Sequence, residues 1–132
     1  MKKYIMKEVV YSMSTAYYAN ELTSNLNKLK RISILGYNWD GYGAEPLSAE
    51  LILHTKNLLR KLHIQPEIFP TADGTIQAEY EKENGDYLEL QFTGQGLCEV
   101  FRNIAFSEEY FDIPETSEAI NSLVGDFYRR SF

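Results

Sequence analysis

From Tyr18 through Leu22, Leu26 and Leu29 to Ile32, apolar residues recur at three- and four-residue steps. Asn25, Lys28 and Arg31 take the opposite side, a spacing that predicts an amphipathic helix over 15–35. Gly36 stands where such a helix ends in the left-handed conformation. Ser48, with Glu50 close behind it, predicts the start of a second helix. Its buried stripe is Leu51, Thr55, Leu58, Leu59 and Leu62, its wet face is Lys56, Arg60 and Lys61, and Pro66 bounds it at about His63.

Beyond Pro66 the period shortens to two. Glu67–Pro70 reads as a short extended piece and Thr71-Ala72-Asp73-Gly74 as a turn. Residues 75–82 and 87–92 alternate cleanly around Asn84-Gly85, which predicts a hairpin. A two-residue loop would pair Tyr80 with Glu89 and mix the faces. A three-residue loop that takes in Asp86, with a bulge, pairs Tyr80 with Leu90 and Ala78 with Phe92 and sorts them. A third strand follows over 97–104, and periodicity leaves open whether Cys98 and Val100 or Leu97 and Phe101 face inward. Residues 105–112 read as an acidic, aromatic connection, and Asp112-Ile113-Pro114-Glu115 as a capping box. Ile120, Leu123, Val124 and Phe127 predict a final helix ending near Arg129. Residues 4–13 settle into neither period and are read as an edge strand or a helix lead-in. The expected fold class is α+β, one domain over 1–132. A three- to four-stranded antiparallel meander packs against two N-terminal helices and a C-terminal helix.

Between the first two helices lies Asn38-Trp39-Asp40-Gly41-Tyr42-Gly43-Ala44-Glu45-Pro46, with the single tryptophan of the chain. Asn38 and Asp40 suit bonds back to backbone N–H groups, and Gly41 and Gly43 allow positive φ. Trp39 is expected to plug the junction of two helices and the sheet. Trp39, Asp40 and Tyr42 are the candidates for a structural corner or a partner site.

Composition changes this picture mainly through charge. The net charge of −6 is uneven: residues 1–64 carry +4, residues 65–126 carry −12 and the last six add +2. A block that acidic disfavours direct nucleic-acid binding and favours a basic protein partner, including one for which it imitates nucleic acid. The single cysteine, Cys98, has no intramolecular partner, which with the absence of a signal-like or membrane-spanning run gives a cytoplasmic expectation.

In the expected register Glu79, Glu81 and Glu89 share the outer sheet face, and Glu81 opposes Glu89. Like charges in that position destabilise a sheet by up to roughly 1 kcal/mol unless something relieves them. A basic partner would do so. A Mg²⁺ ion in a small nuclease-like hydrolase is the alternative, although the Glu-x-Lys order of common nuclease cores is missing. A ligand-sensing pocket beside Trp39 is a further alternative. His54 and His63, nine apart, do not share a metal in the manner of an i, i+4 pair and are read as surface residues, and Cys98 as a small core residue. No phosphate loop or nucleophile elbow is present, so no catalytic residue and no cofactor is assigned.

The run Asn38-Trp39-Asp40-Gly41-Tyr42-Gly43-Ala44-Glu45-Pro46, a leucine-rich helix, and then Pro70-Thr71-Ala72-Asp73-Gly74-Thr75-Ile76-Gln77-Ala78-Glu79-Tyr80 resemble an uncharacterised bacterial family of small proteins with a WDGYGA-x-P motif. The resemblance spans roughly residues 22–100, and Tyr80 stands where the group often has tryptophan. It implies no activity and no catalytic residues. It implies an accessory-genome or mobile-element setting, hence defence, counter-defence or antitoxin-like roles.

Overall fold

The computed structural model describes residues 15–129. The expected strand or lead-in at 4–13 and the side chain of Tyr18 lie outside the described residues. Helix α1 covers Thr15–Ser33, α2 Ala49–Lys61 and α3 Ser117–Arg129. Between α2 and α3 run β1 (Glu67–Pro70), β2 (Ile76–Glu81), β3 (Tyr87–Phe92), β4 (Leu97–Ile104) and β5 (Ser107–Pro114). They form one antiparallel sheet in the order β1-β2-β3-β4-β5. The α+β class holds, with five strands rather than three or four.

The fifth strand is the expected connection. Glu108, Glu109 and Asp112 hide its alternation, because the last strand of the described sheet need not bury every second residue. Asp112 and Pro114 belong to this strand, so they do not cap a helix. The cap of α3 is Thr116, whose hydroxyl accepts from Ala119 N–H at 3.2 Å.

One face of the sheet is dry. Ile68, Ile76, Ala78, Tyr80, Leu88, Leu90, Phe92, Cys98 and Val100 point inward against Leu29 and Ile32 of α1, Leu51, Leu58 and Leu59 of α2, and Ile120, Val124 and Phe127 of α3. Burial therefore resolves β4 in favour of Cys98 and Val100. Tyr80 is buried with its hydroxyl donating to the carbonyl of Ile64 at 2.7 Å, which satisfies the one polar atom such a ring carries into a core.

Asn25, expected on the wet side of α1, is buried. Its amide donates to Gln65 Oε1 at 3.0 Å and to the carbonyl of Pro66 at 2.8 Å, while Gln65 donates to the carbonyl of Leu59 at 2.7 Å. A polar pair thus satisfies the backbone where the chain leaves α2 for β1. Nor does Gly36 end α1 in the left-handed region. The last turn tightens instead, with Ile34 N–H donating to Arg31 O and Leu35 N–H to Ile32 O. The left-handed residue is Asn38, at φ 64°.

The β2–β3 register differs from the expected one by two residues: Tyr80 faces Leu88, Ala78 faces Leu90 and Ile76 faces Phe92. The loop is Glu83-Asn84-Gly85, closed by Lys82 N–H donating to Asp86 O at 2.9 Å and Asp86 N–H to Asn84 Oδ1 at 2.9 Å. Asp86 is kept out of the loop because it is buried, and its carboxylate accepts from Ala105 N–H at 3.0 Å in the next turn. That turn places Ala105 and Phe106 at φ 53° and 67°, the conformation of a tight two-residue hairpin, and leaves Phe106 fully exposed.

Candidate functional site

Strand pairing aligns the outward side chains into rows across the sheet. One row runs Glu67, Glu79, Glu89, Phe101, Tyr110 over all five strands. A second runs Phe69, Gln77, Gln91, Glu99, Asp112, and a third runs Glu81, Tyr87, Asn103, Glu108. The grid spacing is about 5 Å across strands and about 7 Å between alternate residues along one. Seven of these outward positions are carboxylates, and no lysine or arginine of the sheet shares the face with them.

The two cations of the acidic block are turned away. Lys82 is buried, its ammonium donating to the carbonyl of Phe127 at 3.1 Å and lying 3.9 Å from Asp86. Arg102 points to the helix side, paired with Glu109 and stacked 4.9 Å from the centre of the Phe111 ring. From outside the block, Lys28 of α1 reaches round the β1 edge to Glu67 at 3.2 Å, over the ring of Phe69.

Glu79 and Glu89 oppose each other directly, and Glu81 faces Tyr87; the expected Glu81–Glu89 pair is not formed. The two-residue register shift keeps all three on one face, because side chains alternate with period two. Gln77 donates to Glu79, and the Tyr87 hydroxyl donates to Glu89 at 2.8 Å. Burial, the bond to Glu89 and the charges of Glu79 and Glu89 push the Tyr87 hydroxyl far above the usual phenol range, so it stays a donor. Phe101 sits among these side chains, its ring 4.8 Å from Tyr110 and 6.1 Å from Tyr87. Anions and aromatic rings are thus interleaved on one surface. Glu67, Glu99, Glu108, Asp112, Phe101 and Tyr110 were missed as members of it, although the alternation of Glu108, Tyr110 and Asp112 against Glu109, Phe111 and Ile113 carried the signal.

Among the described residues no three His, Cys, Asp or Glu side chains converge in a way that could hold a metal ion. Cys98 is buried, and its thiol is pushed up to about 12, first by burial and then by the charge of Glu115. His63 is exposed, but His54 is only half so: its Nε2 lies 2.6 Å from the Glu115 carboxylate, though not aligned for a hydrogen bond.

The corner motif is closed on itself. Asp40 Oδ1 accepts from Tyr42 N–H at 2.8 Å and Ala44 N–H at 3.1 Å, and Asn38 Oδ1 accepts from Gly43 N–H. Gly41 and Gly43 take φ 81° and 87°, where a side chain would be strained. Trp39 does not plug the core. It is half-buried, and its indole N–H donates to the carbonyl of Glu45 at 2.9 Å, stapling the loop to itself. Tyr42, 92 % exposed, contributes only its backbone N–H to the loop bonds.

The Pro70–Tyr80 run joins the same structure: Glu45 N–H donates to the carbonyl of Ala72 at 3.0 Å. Within that turn Asp73 accepts from the hydroxyls of Thr71 and Thr75. The Thr71 bond is the main reason its carboxyl lies below the usual range, and burial works against it. The corner motif and the Thr71–Gly74 turn are therefore one clasp at the end of the sheet. Two clefts among the described residues, one between α2 and the start of α3 and one between α1 and β1, do not include Trp39.

Comparison with family models, with curated proteins and with solved structures gave no match. None of the three described helices is long and apolar enough to cross a membrane.

Proposed function

We propose that this chain is a non-enzymatic binding protein whose acidic sheet face engages a basic surface on a protein partner. The observation that carries the reading is the sorting of charge. Seven carboxylates stand on one side of the sheet, while the two cations of the same block, Lys82 and Arg102, lie on the other. Packing alone does not demand this, since a solvated sheet face is equally soluble with mixed charges.

A regular grid of anions offers a basic groove what a phosphate backbone offers it, with interleaved rings for arginine side chains to stack on. The family resemblance supports an accessory-genome setting, bacterial or phage. The role is then that of an inhibitor in defence, counter-defence or toxin neutralisation, occupying a surface that otherwise holds nucleic acid.

The test is affinity capture from the native host lysate with the full chain and with a Glu89→Lys/Glu99→Lys variant, at about 0.05 M and about 0.5 M salt. The expected result is a basic partner retained at low salt, released at high salt and absent with the variant. Recovery indifferent to both salt and charge reversal overturns the proposal.

A further inference from the structure

Strand β5 is eight residues long and occupies one end of the sheet order, with β4 on one side and, among the described residues, no strand on the other. Beyond the ladder to β4, no described backbone group bonds to it along Ser107–Ile113. The opposite edge is protected. β1 has four residues, ends in Pro70, and has α1 beside it with Lys28 folded over Glu67 and Phe69. An open edge of this length is a template for another strand, and folds normally shorten, cover or charge such edges.

The charges on β5 determine which strand is admitted. Two copies pairing antiparallel about Tyr110 would set Glu108 against Asp112 twice, like charge against like, so the edge rejects itself. A strand from a basic partner is accepted. On the outer face it meets Glu108, Tyr110 and Asp112, and on the inner face Phe111 and Ile113, which pack on the core but keep part of their surface wet.

We infer that the partner contributes an extended segment that adds to the free edge of β5 as a sixth strand, with Lys or Arg at every second position and aliphatic residues between them. The cations lie beside Glu108 and Asp112 and over the Tyr110 ring, the aliphatic residues beside Phe111 and Ile113, and the backbone completes the ladder. Adjacent basic strand and anionic face are then continuous, so the segment extends the surface that the rest of the partner covers. This rests on the acidic face being the binding surface, and adds the mode by which the partner is held.

The experiment uses the full chain and three synthetic peptides: one of alternating lysine and valine long enough to span Ser107–Ile113, the same peptide N-methylated on alternate backbone nitrogens, and one with the same residues in separate lysine and valine blocks. Affinity is measured by titration and amide exchange by NMR. The alternating peptide is expected to bind, to slow exchange of the outward β5 amides by about tenfold or more, and to lose about tenfold in affinity on N-methylation or on blocking. If all three bind alike and β5 exchange is unchanged, edge addition is wrong while the acidic face stands. If none of the lysine-bearing peptides binds, both readings fall.

Discussion

Carboxylates do two different jobs in this molecule. At the ends of the sheet they are folded into the backbone. Asp40 holds two N–H groups of the corner, Asp86 holds Ala105 N–H, and Glu115, with a fully buried side chain, accepts from Thr93 N–H at 2.9 Å and Gly94 N–H at 2.8 Å while facing His54. On the outer face Glu81, Glu89, Glu99, Glu108 and Asp112 accept from no backbone N–H of the described residues. The first group terminates turns that would otherwise leave buried donors unpaired. The second group does nothing of that kind, and its crowding on one face works against the sheet. Negative charge is a folding device in one place and an available surface in the other.

The largest effect separating the two groups belongs to Glu115. Glu115→Ala leaves two backbone donors of the β3–β4 turn without their acceptor and removes the carboxylate that faces His54, and is expected to lower the unfolding free energy by about 3 kcal/mol or more in urea titration. A loss below about 1 kcal/mol would mean that the turn is held by its glycines alone. Asp40→Ala comes next. Its two N–H partners lie in a loop that is mostly wet, so water replaces part of what is lost and the expected destabilisation is about 1 kcal/mol. Exchange of the Tyr42 and Ala44 amides speeds up in the same variant, which locates the change in the loop.

This division was only partly legible in the sequence. The helices and the inward face followed from periods of three to four and of two, because burial is what those periods report. The second helix and its Ser48 cap stand as expected, with Ser48 Oγ accepting from Leu51 N–H at 3.1 Å. The hairpin kept its faces but not its register. Asn84-Gly85 suits more than one loop, and what selects among them is the bond from Asp86 to Ala105, nineteen residues away, which no local pattern encodes. The same holds for Asn25, whose burial depends on Gln65 and Pro66 forty residues on.

The candidate face was seen in part, as Glu79, Glu81 and Glu89. Its remaining members sit on β1, β4 and β5, and they join it only once strand order is known. Trp39 misled for a related reason: a large ring in a glycine-rich corner looks like a core plug, yet its partner is the carbonyl six residues along its own loop.

The central claim is that the outer carboxylates are dispensable to the fold and are available to a partner. The most direct measurement is the unfolding free energy of the triple variant Glu81→Gln, Glu89→Gln, Glu99→Gln, which keeps shape and hydrogen-bonding capacity while removing three charges. The predicted result is a change within about 0.5 kcal/mol of the parent, or a gain of up to about 1 kcal/mol from relieved repulsion. A loss of about 2 kcal/mol or more would show that these side chains hold the sheet together, and would contradict the account.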